Sequence, residues 1–381
     1  GFPIQNPVVV WGAPEVSDDY KFFVNSGYDI NEYVQAYGFA NYATRDVDGS
    51  FFYRNPTNRQ GVFASGSDAL FADSTGEGCP TGPLPTTSFD DAQNFVNGAG
   101  DNCFSFFSWF PGGFTPRFGG NVEDYSIALG LKGELDNGLI YDVSASIGQH
   151  SAEFKISDTL NSAMGPDSPR DFTAGEYIEQ DSNLTVDVSY PLDVSWSDEQ
   201  VNLAGGLEYR NESFEIIAGE PASYSLGDTS LSTPLYKQGF NVGANGFPGF
   251  KPQHAGKFDR SNIAAYVDVE TYVSDNFMLN IAARYEDFSD FGSTTNGKVS
   301  AHWQVSDQYA LRASAGTGFR APTLGQSHAS NVSTSANEQG LLVDQATLSP
   351  TNPLSVLKGG KQLQAEDSTN FAIGTILQFD E

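Results

Sequence analysis

The residue types that most often do chemistry are sparse in this chain and lack catalytic spacing. The four histidines are His150, His254, His302 and His328. None stands in an H-E-x-x-H arrangement or another zinc-binding spacing, and no G-x-S-x-G nucleophile elbow occurs. Acidic neighbours such as Glu286 and Asp287 would point to opposite faces of a strand and could not share a proton. These patterns predict a protein that is not an enzyme and holds no metal or cofactor.

One acidic segment is similar to the start of a calcium-binding loop. Asp46-Val47-Asp48-Gly49 has the opening residues, but the downstream bidentate glutamate is missing. The segment is therefore interpreted as a turn. On that interpretation, residues 31–43 and 50–63 form an early pair of strands on either side of it.

The glycine-rich stretch ALRASAGTGFRAP, residues 310–322, could in principle cradle a phosphate. A P-loop needs a lysine after its glycines and a helix that starts there, but here no lysine follows and Pro322 occupies that place. Apolar and polar or small residues instead alternate from Tyr309 to Arg320, which is the two-residue period of a strand. The glycines are thus predicted to lie on the polar side of a strand.

Composition narrows the class of protein. The 381 residues carry a net charge of −29, with 48 acidic side chains against 19 lysines and arginines. Such a chain has too little positive charge to neutralise phosphates, which argues against a nucleic-acid partner. Aromatic residues make up 13% and there are 40 glycines, which favours β structure with many turns. No apolar run is long enough for a transmembrane helix.

Two-residue periodicity recurs along the whole chain and predicts about eleven strands. The connections between them alternate in length: some are tight turns, whereas those near 64–120, 217–257 and 321–366 are very long. A compact soluble domain rarely contains such loops, but a transmembrane β-barrel has tight turns at one end and long loops at the other. The predicted fold is therefore all-β: an antiparallel transmembrane barrel portion with long extracellular loops.

In such a barrel the two parities of each strand have different surroundings. The apolar parity is expected to face lipid, at Leu129, Val143, Val186, Leu203, Val267 and Ile281. The polar parity is expected to line an aqueous lumen, at Ser144, Asp187, Glu208, Asp268 and Arg284. A soluble sandwich would place the same apolar parity in a core.

Three segments resemble a known family. The stretch 311–322 resembles the late-barrel signature of TonB-dependent outer-membrane receptors, in which a strand ends in GFRAP and a long loop follows. The residues that match are Gly316, Gly318, Phe319, Arg320, Ala321 and Pro322. Residues 363–374 resemble the family segment after that loop, and Arg284-Tyr285-Glu286 resembles a family strand that precedes a short loop.

The resemblance implies energised uptake across the outer membrane of a Gram-negative bacterium. Implied ligands are an iron-siderophore, cobalamin or an oligosaccharide, and implied partners are outer-membrane lipid, lipopolysaccharide and the TonB energy-coupling complex. The alternative is a passive porin-like or adhesin-like barrel. Family barrels have about 22 strands around a plug. Residues 1–381 are therefore expected to be a partial barrel domain without the N-terminal plug and the C-terminal strands.

Cys79 and Cys103, the only cysteines, lie in one predicted loop. In an oxidising envelope this pair favours a disulfide. A metal pair would need nearby histidines, and a catalytic thiol would need a base.

Two loops contain candidate ligand-binding residues. The segment from Cys103 to Gly120 holds the candidates Phe106, Phe107, Trp109, Phe110 and Arg117. Its aromatics either pack on one another and on neighbouring loops or form a platform for sugars or aromatic chelators. Lys251 and His254 concentrate positive charge in a second loop, which either meets an anionic ligand or lipopolysaccharide phosphate or is simply solvated. Arg320 has lumen parity and is a further candidate.

Overall fold

Eleven long strands form one antiparallel sheet in which each strand is hydrogen-bonded to the next along the chain. The structure is a computed structural model that describes residues 2–4, 14–196, 199–336 and 342–379. The strands are β1 (Glu15–Asn31), β2 (Val34–Ser50), β3 (Arg117–Glu134), β4 (Ile140–Ser157), β5 (Phe172–Leu192), β6 (Val201–Ala218), β7 (Gly256–Ser274), β8 (Phe277–Phe288), β9 (Gly292–Ser306), β10 (Tyr309–Arg320) and β11 (Glu366–Leu377). The predicted number of strands is confirmed.

The predicted position of the first strand pair is wrong. β1 and β2 meet at a turn at 32–33, and the expected turn at 46–49 lies within β2. Asp46 and Asp48 pair there with Asn121 and Gly119 of β3. Hydrogen bonds to β3 along all of β2 therefore outweigh the local turn preference of the segment. The alternation of Tyr20, Phe22, Val24, Tyr28 and Ile30 marks β1 in the sequence.

The connections alternate between the two ends of the sheet. At one end they are short, at 32–33, 135–139, 193–200, 275–276 and 307–308. At the other end they span 51–116, 158–171, 219–255, 289–291 and 321–365. One end of the sheet therefore carries only short connections, whereas the other end carries most of the chain that lies outside the strands.

The division of each strand into two faces is confirmed. The six residues expected on the apolar face are all exposed, and Leu129 has a relative accessibility of 62%. Register keeps them together, since Val143 pairs with Val186 and Val186 with Leu207. We call the opposite side, which carries Ser144, Asp187, Glu208, Asp268 and Arg284, the polar face. Its residues are half-buried, and several are hydrogen-bonded across strands, as Arg284 is to Glu208.

The hydrophobic core lies mostly in the long connections and on the strand ends beside them. One cluster joins Phe63, Phe71, Phe106 and Phe107 of 51–116 to Leu160, Leu235 and Phe240. A second cluster packs Phe247 and Phe250 on Ile156, Phe172, Phe214 and Ile216 of the sheet. We call the connections 51–116, 158–171 and 219–255 together the loop layer. Their shared core makes them one packed layer rather than separate solvated loops.

Short helices complete the loop layer and the last long connection. They are α1 (Phe89–Asn97), α2 (Leu324–His328) and α3 (Pro353–Leu357). Ser88 caps α1 by accepting a hydrogen bond from the Asp91 backbone N–H, and α1 buries Ala92 and Val96. None of the helices in the described ranges is long and apolar enough to cross a membrane.

Candidate functional site

The aromatic side chains that follow Cys103 differ in how deeply they are buried. Phe106 is completely buried, and Phe107 and Phe110 are almost so. Trp109 retains 37% of its accessible surface while its ring meets those of Phe104 and Phe106 edge to face, at centroid distances of 5.4 and 5.6 Å. In this arrangement the three buried phenylalanines pack the loop layer, and Trp109 is the member of the expected platform that a ligand can reach.

A disulfide joins Cys79 to Cys103 within the loop layer. Beside it, the Asp73 carboxylate accepts backbone N–H bonds from Thr75, Gly76 and Gly78. Burial acts to raise the pKa of Asp73, but these hydrogen bonds outweigh it and hold the pKa below its usual value. The disulfide and the carboxylate together hold residues 73–79, at the start of the segment that leads into α1.

Replacing both cysteines, in Cys79→Ser/Cys103→Ser, should loosen this part of the loop layer. Closing a loop with a sequence separation of 24 stabilises by up to about 3 kcal/mol in the chain-entropy model. We expect limited proteolysis to cut between 79 and 103 faster in this variant, while the strands stay protected. Two titratable thiols in the unreduced, denatured wild-type protein would contradict the bond itself.

Two buried arginines hold the loop layer together and join it to the last long connection. Arg54 Nε donates to Asn245 Oδ1 at 2.7 Å, and Arg59 Nη2 lies 3.2 Å from Asp344 Oδ1. Burial and, to a lesser extent, the positive charge of Arg59 lower the pKa of Arg54 to about 9, against an opposing effect of Asp344. Arg54 therefore stays charged at neutral pH. Sequence reasoning missed this pair because nothing in its spacing distinguishes it.

A ladder of ion pairs crosses the polar face just below the loop layer. Arg210 Nε donates to Asp181 Oδ2 at 2.7 Å, and Arg210 Nη2 lies 3.1 Å from Glu212 Oε1. Glu212 in turn accepts from Arg260 Nε at 2.8 Å. The ladder thus links β5, β6 and β7 by charge as well as by their backbones.

Arg260 is the centre of this network. Its side chain is only 4% exposed, and its Nη1 lies 3.6 Å from Asp290 Oδ2. The same Nη1 donates to the Pro322 carbonyl at 2.7 Å, and the guanidinium lies over the rings of Phe288 and Phe291. One buried cation therefore joins β6, β7, the 289–291 turn and the end of the GFRAP motif.

The contact between Arg260 and Pro322 explains the structural role of the GFRAP motif. β10 ends at Arg320, and Pro322 is held by Arg260. Thr323 then starts α2 with a capping box, in which its Oγ1 accepts from the Gln326 N–H at 3.0 Å and Gln326 Oε1 accepts from the Thr323 N–H at 2.9 Å. The motif thus directs the chain from the end of β10 towards the polar face of the sheet.

The turn after the motif closes one side of a cavity at the mouth of the polar face. Leu324 joins the second hydrophobic cluster, and His328 stacks on Phe258 at a ring-centroid distance of 3.8 Å. Burial lowers the pKa of His328, against a smaller raising effect of Asp290. The cavity has a volume of about 410 Å³. It is lined by His150, Glu179, Asp181, Arg210, Glu212, Phe214, Thr323, Leu324 and Gly325, among others.

Further from the mouth on the polar face, a hydrogen bond between β5 and β7 crosses the intervening strand β6 at a glycine. The Tyr266 hydroxyl on β7 donates to Asp187 Oδ1 on β5 at 2.6 Å, passing over Gly206 of β6. A Cβ at Gly206 would lie 2.4 Å from Asp187 Oδ1 and 2.5 Å from the Tyr266 ring. This glycine is therefore required by a close approach of side chains.

The remaining predicted residues lie apart from one another. Arg117 begins β3, where its Nε donates to Asp48 Oδ2 at 2.7 Å and its Nη2 lies 3.7 Å from Glu15. Lys251 and His254 flank a turn before β7, where Lys251 is exposed and His254 half-buried. Arg320 is exposed at the end of β10. The structure brings together the aromatic residues but shows no contact that joins these four basic residues in one site.

Comparison with known families gives one match that covers nearly the whole chain. The sequence model of the family described as TonB dependent receptor-like, beta-barrel, matches residues 19–381. The match includes all of the strands except the first residues of β1.

Three solved structures are similar to the chain, and the first of them shows the same fold. A mutant of the ferric enterobactin receptor PfeA from Pseudomonas aeruginosa is similar with a TM-score of 0.50 and 13% identity, over 99% of this chain and 42% of that one. The siderophore receptor PirA from Pseudomonas aeruginosa has a TM-score of 0.45 and 15% identity, over 97% and 51%. The RagAB peptide transporter has a TM-score of 0.47 and 12% identity, over 94% and 38%. The chain spans about half the length of PirA.

Proposed function

This chain belongs to the TonB-dependent receptors, and from that premise we propose that it serves energised uptake of a scarce nutrient across an outer membrane. The observation that carries the proposal is the family match over residues 19–381. The sheet supports it, because one face is a band of exposed apolar side chains suited to lipid and the other is polar. The proposed location is the outer membrane of a Gram-negative bacterium, in contact with lipid and lipopolysaccharide.

The proposed ligand is an iron-siderophore, cobalamin or an oligosaccharide, captured from the side of the loop layer. Trp109 supports this proposal, since its ring is exposed while it packs edge to face on Phe104 and Phe106. A rigid aromatic face binds sugars or aromatic chelators at little entropic cost. Lys251 and Arg320 offer positive charge and His254 offers an imidazole at the same end of the sheet, and Arg117 is already neutralised by Asp48.

Energised uptake and passive passage differ in their dependence on the proton-motive force. Cells that carry the intact receptor should accumulate labelled ligand above its external concentration. Dissipating the proton-motive force, or deleting the TonB complex, should stop accumulation but leave surface binding. Equilibration that continues without energy would support the porin-like alternative instead.

Replacing Trp109 by alanine should weaken ligand capture. Truncating a well-supported aromatic contact commonly costs more than about 1 kcal/mol, so the Kd should rise about five- to tenfold. The measurement is equilibrium binding of labelled ligand to whole cells. Trp196→Ala is the matched control, because Trp196 is exposed in the 193–200 connection at the opposite end of the sheet. An equal effect of both substitutions would contradict a role for Trp109.

A further inference from the structure

Charge on the polar face is divided between two regions. From β4 to β8 the residues of this face include Asp142, Glu179, Asp181, Asp187, Glu208, Glu212, Asp268, Glu270 and Glu286, together with only three arginines. On β9 and β10 the same face carries Lys298, His302, Arg312 and, at the mouth, Arg320, and no acidic residue. We call Lys298, His302 and Arg312 the basic patch.

The basic patch differs from the three arginines that β6, β7 and β8 carry on the polar face, because it forms no ion pair among the described residues. Arg210, Arg260 and Arg284 each pair with carboxylates. Within the ranges that the structure describes, Lys298 and Arg312 form no ion pair, and neither does His302. In a chain with 48 acidic residues and 19 lysines and arginines, such a segregation leaves positive charge available to a ligand.

The neighbouring strands keep acidic groups away from the patch. On β8 the residues beside it are Met278 and Asn280, and on β11 they are Ala372 and Gly374. Asn280 Nδ2 donates to Asp268 Oδ1 at 2.7 Å, and Asn280 lies in register between Ser300 of the cavity and β7. The patch is therefore bordered by uncharged side chains on both sides.

The patch lines a cavity with suitable hydrogen-bond donors. Register places His302 beside Arg312, Ser300 beside Ser314 and Lys298 beside Gly316. These five side chains line a space of about 440 Å³. Ligand pockets commonly measure about 300–1,000 Å³. A small ligand in this space would meet two permanent cations, an imidazole and two hydroxyls.

Arg312 is positioned by the strand next to it. It pairs with Gly374 of β11, and a Cβ at Gly374 would lie 2.6 Å from Arg312 Nε. The side chain therefore lies across the backbone of β11, in space that any larger residue at 374 would fill. The position of Arg312 in the patch therefore depends on the absence of a side chain at residue 374 as well as on charge.

The patch is separate from the mouth cavity. Arg312 follows the 307–308 turn closely, and His302 precedes it closely, so both lie toward the end of the sheet with short connections. The mouth cavity lies at the other end, against α2.

We propose that Lys298, Ser300, His302, Arg312 and Ser314 form an anion-binding site on the inner wall of the barrel, for a small polyvalent anion with phosphate or carboxylate groups. Guanidinium and ammonium groups with hydroxyls beside them are the usual protein partners of such anions. The site requires only the barrel fold, and it goes beyond the proposed uptake function because it needs neither energy coupling nor a particular nutrient.

Calorimetric titration of the intact receptor in detergent micelles tests the site, with inorganic pyrophosphate and citrate as probes. We expect saturable binding at one site. Arg312→Gln and Lys298→Gln should each raise the Kd about fivefold, as for the loss of one solvated ion pair. Gly374→Ala should raise the Kd without changing any charge. The matched control is Lys132→Gln on β3, whose ammonium lies 5.4 Å from the Tyr37 ring centroid, far outside the patch.

Three results would overturn the site. One is the absence of saturable binding of either probe. Another is an equal loss of affinity in Lys132→Gln, which would show that the anions respond to the overall electrostatic potential of the polar face and not to a defined site. The third is a cross-link from Ser314→Cys to another segment of the receptor together with no anion binding, which would show that polypeptide covers the patch. Loss of uptake in cells would bear on the proposed function and leave this measurement unaffected.

Discussion

Replacing Arg260 by methionine should lower the free energy of unfolding by about 3–5 kcal/mol, the usual cost of breaking a buried ion pair from one side. The substitution keeps an apolar stem against Phe288 and Phe291 but removes one of the two arginines that pair with Glu212, which keeps only its contact with Arg210 at 3.1 Å. It also removes the donor to the Pro322 carbonyl. The measurement is guanidinium-induced unfolding in detergent micelles, compared at equal slope.

Two further variants show whether the lost charge pair is the cause. Lys257→Met removes an exposed cation from the same strand and should change the free energy of unfolding by less than about 0.5 kcal/mol. The double variant Arg260→Met/Glu212→Gln should recover part of the loss, because it also removes the carboxylate that has lost one of its two arginine partners. A change in Arg260→Met no larger than that in Lys257→Met would show that Arg260 does not hold the mouth together.

The second large expected effect depends on which face of a strand receives a charged side chain. Leu129→Arg should cost about 2–4 kcal/mol in a membrane, because it places a charge among lipid chains near the middle of β3. Ser144→Arg, on the neighbouring strand β4 but on the polar face, should cost far less. Unfolding of the receptor from lipid vesicles measures both.

Labelling provides an independent check of the same division. Cysteines introduced by Leu129→Cys and Val186→Cys should resist a water-soluble maleimide in vesicles, whereas Ser144→Cys should react through the lumen. If the first two react as readily as the third, the apolar face does not meet lipid.

The sequence determined the fold class because a two-residue period needs no tertiary information. Side chains of a strand alternate between faces, so Leu129 and Ser144 could be assigned to opposite faces from their parity alone. The alternation of short and long connections then indicated a barrel rather than a sandwich. The GFRAP motif identified the family, since its residues are contiguous.

The first strand pair shows where local patterns stop being sufficient. Asp46-Val47-Asp48-Gly49 has the composition of a turn, but β3 supplies hydrogen-bond partners along all of β2 and keeps the segment extended. Pairing between residues far apart in sequence decided the strand's end. A single sequence does not state which segments will be neighbours.

The tertiary structure alone decided which candidate side chains a ligand can reach. Phe106, Phe107, Trp109 and Phe110 are equivalent in sequence, yet three are buried and Trp109 is exposed, because residues from 160 to 240 pack on the others. Arg260 was one scarce cation among several until the fold brought Glu212, Asp290 and Pro322 around it. Periodicity fixes the face on which a side chain lies, because it is a property of one strand. Burial and ion pairing depend on several strands and loops at once, so only the folded chain determines them.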